Sequence, residues 1–188
     1  MAISDTKEII MGIGRARVQA LGYNALSFRE IAKEVGIKSA SIHHHFPTKG
    51  DLGAALARRY TEDGVNYLEG LLAKSQDPKV LIKSYTDIFR SALVNDNRMC
   101  LCGIMAAEYQ DLPDNVRTEV NAFTDANVKW LITVLSLQQG QSEAPNLRQK
   151  ALAIFSAVEG AQLVSRGRND IALFDRTVEV YRVAGLIP

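Results

Sequence analysis

The chain predicts an all-α protein of roughly nine helices, on three observations. Apolar residues recur at helical spacing along most of its 188 residues. No sustained period-two alternation appears. Gly22, Gly36, Pro47 and Pro113 fall where helices would stop or start. With 47% apolar and 23% charged residues, the chain can bury a full-sized core, which excludes wholesale disorder.

The first helix is expected from about Asp5, with Glu8 as its capping-box partner, to Gly22 as the C′ stop. Ile9, Ile13, Ala16 and Ala20 give it an apolar face. Ser27 and Glu30 form a capping-box pair that opens a short helix carrying Ile31, Ala32 and Val35, ended by Gly36. A third helix runs from Ser39 to about Phe46, closed by Pro47. Longer helices then span about Lys49–Lys74 and Pro78–Val94, with a shorter one over about Cys100–Gln110. Pro113 suits the first position of a long helix reaching about Gln139. The polar stretch from Gln138 to Pro145, containing Gly140, reads as a loop. The last two helices cover about Asn146–Arg168 and Asp170–Gly185.

Net charge is only +1, but it is unevenly spread. Residues 1–60 hold nine Lys/Arg against five Asp/Glu, and residues 61–188 hold thirteen against sixteen, so the basic first third points to a polyanion. No apolar run is long enough for a membrane span, and the start lacks a secretory signal. Cys100 and Cys102, one residue apart, cannot build a disulfide framework. A cytoplasmic, reduced protein with no membrane partner is expected.

Residues 27–46 carry the function. A helix-turn-helix needs a small residue where its helices cross, a residue tolerant of positive φ at the turn, and a branched apolar plug on the second helix. Ala32, Gly36 and Ile42 supply these at offsets of four and six. Lys38, Ser39, Ser41, His43, His44, Thr48 and Lys49 are then left to face outward, as short donors, imidazoles and ammonium groups suited to base edges and phosphates. Arg29 joins Lys49 as a phosphate holder. An ordinary helical hairpin would share the spacing. His43, His44 and His45 point about 100° apart on a helix and cannot converge on a metal. No metal or cofactor is expected.

The stretches SFREIAKEVGI (27–37) and SIHHHFPTKGDL (41–52) resemble the DNA-binding signature of TetR-type (TetR/AcrR) transcriptional regulators. Phe46, Lys49 and Leu52 match most specifically. The resemblance implies a DNA-binding domain over 4–64, with its helix-turn-helix at 27–46, and a ligand-binding and dimerisation domain over 65–188. The chain departs from the family pattern at Ser27, Lys38, Ala40 and the three histidines, which stand where tyrosines are usual. Family position makes His43 the carried-over phosphate contact, in which case affinity rises as pH falls through the imidazole range.

Two inputs could switch binding. Tyr85, Phe89, Met105, Tyr109, Phe123, Trp130 and Phe155 are either core or the wall of an apolar effector cavity, with Glu108 as its polar anchor. Cys100, near a helix start and beside Arg98, is either a reactive thiol or a small buried hydrophobe. Residues 100–112 resemble an electrophile-sensing member of the same family.

Two-fold operators need paired recognition helices about one DNA turn apart, so a homodimer on palindromic double-stranded DNA is expected. Ala153, Ala157, Gly160, Ala161 and Val164 form a small-residue stripe that, with Tyr181, suits the interface or intramolecular packing. The expected function is a repressor that releases its operator on small-molecule binding or modification of Cys100. The alternative is a protein of similar build acting through a protein partner without operator specificity. No histidine lies outside 43–45 and no Gly-rich phosphate loop follows a strand, so no enzyme is expected.

Overall fold

The computed structural model describes residues 3–138 and 146–188, with side chains from Thr6 onward. Nine α-helices and no strand occur among the described residues. The expected loop beyond Gln138, with Gly140, lies outside them. So does the expected helix end at Gln139.

The described chain divides into two compact units, and residues 101–123 group with the N-terminal one, the head. The first unit runs up to Thr61 and adds Leu101–Phe123. It contains α1 (Ile3–Leu21), α2 (Phe28–Val35), α3 (Ser39–His45), the start of α4 (Lys49–Lys74), α6 (Leu101–Ala107), a 3₁₀ turn (Tyr109–Asp111) and the start of α7 (Asp114–Gln138). α1 packs on α2 and α6, and α2 on α3. α1 begins at Ile3, before the expected cap at Asp5, and its buried face is Ile10, Met11 and Val18 rather than Ile9, Ile13, Ala16 and Ala20. Three consecutive apolar residues, Ile9 to Met11, leave the facing ambiguous in sequence. Gly14 settles it, because Leu26, Leu52 and Leu56 close over its bare backbone.

Ser27 caps α2 by accepting the Glu30 N–H, and Gly36 ends it with φ +78°, a conformation that L side chains rarely adopt. Ile31, Ala32 and Ile42 are buried where α2 and α3 cross. Thr48 and Asp51 cap α4 reciprocally: the Thr48 N–H donates to Oδ2 at 2.9 Å, and the Asp51 N–H to Oγ1 at 3.1 Å. Gly53 must be glycine, since a Cβ there would lie 2.6 Å from the Tyr23 ring. Pro113 stands just ahead of α7, and its carbonyl accepts the Val116 and Arg117 N–H groups.

The second unit is Glu62–Cys100 with the chain from Thr124 onward. It holds the rest of α4 and α7, together with α5 (Pro78–Val94), α8 (Leu147–Gly167) and α9 (Ile171–Val183). α5, α8 and α9 pack pairwise against one another. Asp77 and Asp170 cap α5 and α9, and Pro78 starts α5 where its missing N–H costs nothing. No described helix is long and apolar enough to cross a membrane.

Candidate functional site

In the first unit, burial of Ile42 locks α3 onto α2 and turns the rest of the short helix outward. Arg29, Lys38, Ser39, Ser41, His43 and His44 are exposed. The His43 ring meets Phe28 edge-on, centroids 4.8 Å apart, and its Nδ1 lies 3.1 Å from the Pro47 carbonyl. A carbonyl only accepts, so Nδ1 is the donor in that contact.

The two candidates at the start of α4 sit differently. Thr48 is exposed, but its hydroxyl donates to Asp51 at 2.8 Å. Lys49 is half-buried, with Nζ donating to the Asn24 carbonyl at 3.2 Å and lying 4.4 Å from the centre of the Tyr23 ring. Burial lowers its pKa, partly opposed by the Glu108 charge. Both residues brace the head through the 23–24 turn and the α4 cap.

The residues suggested as effector wall, with Glu108 as anchor and Cys100 as thiol, are divided between the two units. Met105, Glu108, Tyr109 and Phe123 belong to the first unit. There the Glu108 carboxylate receives the Tyr23 N–H, the Tyr109 ring lies 5.3 Å from the Arg117 guanidinium, and Phe123 lies against Tyr60. Tyr85, Phe89, Cys100, Trp130 and Phe155 belong to the second unit, and all five are buried. Tyr85 stacks on Trp130 at 5.4 Å and meets Phe89 at 5.2 Å.

The same core contains polar residues that no sequence spacing marks. The Tyr85 hydroxyl donates to Asn127 Oδ1 at 3.1 Å, and Trp130 Nε1 donates to the Leu68 carbonyl at 3.0 Å. Gln162 accepts the Cys100 N–H at 3.0 Å and donates to the Phe89 carbonyl at 2.7 Å, tying α8 to α5 and to the residue that precedes α6. Glu159, one turn earlier, has both carboxyl oxygens buried, and no nitrogen or oxygen donor among the described residues reaches either one. The Cys100 thiol faces it, and burial raises the acid to about 7. Burial, and after it the Glu159 charge, pushes the Tyr85 phenol well up. Cys100 itself is 1% exposed. Its charged neighbour is this carboxyl, while the Arg98 guanidinium turns to Asp96.

On α8, Ala153 and Val164 are exposed, Ala157 and Gly160 half-buried, and Ala161 buried toward the core. Tyr181 on α9 is half-buried. Leu152, Leu163, Val164, Val180 and Val183 leave large apolar groups on the same two helices open to solvent.

A sequence profile of bacterial regulatory proteins of the tetR family matches residues 18–56. No curated protein matches the chain. A TetR transcriptional regulator from Legionella pneumophila is similar at 33% identity over 100% of both chains, with TM-score 0.89. A TetR-family transcriptional regulator from Agrobacterium tumefaciens shares 29% identity, covering 94% of this chain and 95% of that one, with TM-score 0.86. The reduced form of E. coli NemR has the same fold at 19% identity, covering 98% of each chain, with TM-score 0.82.

Proposed function

The chain belongs to the TetR family of transcriptional regulators, and on that premise we propose that it is a repressor that works as a homodimer and releases palindromic operator DNA when a small molecule occupies its second unit. One observation carries the DNA-reading half: Ile42 is fully buried while Lys38, Ser39, Ser41, His43 and His44 stand exposed on the same short helix. These side chains read bases and contact the backbone, Arg29 adds a phosphate contact, and Thr48 and Lys49 hold α4 and the turn that position them. The exposed apolar groups of α8 and α9, with Ala153, Ala157 and Gly160 allowing close approach, support pairing of two copies.

Release follows from the continuity of α4, which contributes residues to both units. An effector that displaces α4 changes the spacing of the paired recognition helices and weakens the operator complex. The aromatic core of Tyr85, Phe89, Trp130 and Phe155 is the effector region in this reading.

A second reading, release by modification of Cys100, is favoured by one feature: the Glu159 carboxyl faces the thiol and can take its proton. Binding to the DNA flanking its own gene, with and without a thiol-alkylating electrophile and beside C100S, separates the two. Release of the wild type alone supports the cysteine. Retention of both proteins on DNA assigns release to a reversible ligand.

A further inference from the structure

The effector region combines four aromatic side chains with one buried acid, and its hydrogen-bond inventory is lopsided. Four donors here are engaged: the Tyr85 hydroxyl on Asn127, Trp130 Nε1 on Leu68, one Gln162 amide N–H on Phe89 and the Cys100 N–H on Gln162. What remains is acceptor capacity, on both carboxyl oxygens of Glu159 and on the Tyr85 oxygen, which has given its proton away. A lone buried carboxylate is costly without a donor or a positive charge beside it. Two other side-chain atoms are buried without a partner among the described residues: Ser165 Oγ, six residues further along α8 and about 9 Å away on helical rise, and Arg98 Nε, whose guanidinium turns to Asp96.

We propose that the effector is an organic ammonium, an apolar amine whose charged nitrogen is held by the Glu159 carboxylate and the Tyr85 oxygen, with its hydrocarbon part against Phe89, Trp130 and Phe155. The inference rests on the reading of this unit as the effector site and names the ligand class that site takes. An anion would meet Glu159 with no cation to offset it. A neutral ligand of acceptors alone would find the Tyr85, Trp130 and Cys100 donors already engaged. An ammonium brings both the donors and the charge, and the neighbouring aromatic rings favour cations at their faces.

The groups facing Glu159 are Tyr85 from α5, whose phenol burial pushes well above its ordinary value, and the Cys100 thiol from the segment before α6. Burial raises the acid to about 7, so an amine arriving below that pH must displace a proton. Amine affinity therefore rises as pH increases from 6 to 8, and binding at pH 6.5 releases a proton to the buffer.

Trp130 is the chain's single tryptophan, so its emission reports from beside the site. The test titrates the full-length protein with straight-chain primary amines from butylamine to decylamine and with the matching alcohols, in wild type and E159Q. The expected result is that at least one amine shifts Trp130 emission about tenfold more tightly than its alcohol, and that E159Q erases this difference while still binding the alcohol. Equal binding of amines and alcohols by the wild type, or an amine preference that survives in E159Q, overturns the ammonium assignment and leaves the effector site standing. No Trp130 response to either series overturns both.

Discussion

The Glu108 carboxylate receives the backbone N–H of Tyr23, 85 residues away in sequence, so the residue just after α6 holds the turn leading into the helix-turn-helix. Asp111 adds a bond from the Asn24 side chain at 2.9 Å. Replacing Glu108 with Ala leaves the Tyr23 N–H without its acceptor and is expected to cost roughly 1–2 kcal/mol of stability. Thermal unfolding checks it, and an unchanged Tm would mean water replaces the carboxylate at no cost.

Ile42 sets the crossing of α2 and α3. Ile42→Ala opens a cavity in the small head and should destabilise it by about 2–5 kcal/mol. Specific DNA binding should fall with it. Lys38→Ala and Ser41→Ala change exposed groups, so they should weaken DNA binding while shifting stability by less than about 0.5 kcal/mol. Calorimetry beside a DNA titration distinguishes the two classes.

His43 donates from Nδ1 to the Pro47 carbonyl and meets the Phe28 ring edge-on. His43→Phe keeps the edge contact with Phe28 and removes both ring nitrogens, so DNA affinity should fall by about tenfold for one lost contact while stability changes little. Unchanged affinity for operator DNA would take His43 out of the contact set.

Glu159 makes stability itself pH-dependent. The folded protein keeps this proton up to about pH 7, whereas the ordinary carboxyl of the unfolded chain loses it near 4.5. The native state is thus favoured most below 4.5, and stability is lost as pH rises toward 7, by on the order of 3 kcal/mol. E159Q cannot lose a proton, so it should gain on the wild type between pH 5 and 8. Denaturant unfolding at those two pH values gives the comparison; parallel changes would contradict the burial of this acid.

Val164 on α8 is 54% exposed. Val164→Glu places a charge in the proposed interface and should give monomers by sedimentation, with unfolding of the isolated protomer little changed. A variant that remains dimeric would move the interface off this face.

The head was legible in sequence because its signals are local. The Ser27 cap, the left-handed Gly36 and the Ala32–Gly36–Ile42 spacing each act within a few residues. The facing of α1 was not legible, since it depends on Leu52 and Leu56 closing over Gly14, and a glycine gives no apolar signal. Glu108 and Tyr109 read as pocket residues by composition, yet the Glu108 partner lies too far along the chain for any spacing rule. Glu159 and Gln162 look in sequence like the polar residues of any amphipathic helix. Their signal was present, because Phe155, Val158 and Ala161 share the stretch and are buried. A charged residue next to so apolar a stripe marks a buried acid.

Operator reading by α3 is tested by a footprint of the purified protein on the DNA flanking its own gene. Two recognition helices in successive major grooves predict two protected half-sites with centres one helical turn, about 34–36 Å, apart. Protection should vanish in Lys38→Ala/Ser41→Ala protein that unfolds like the wild type. Diffuse or absent protection by folded wild-type protein would contradict operator reading by this helix.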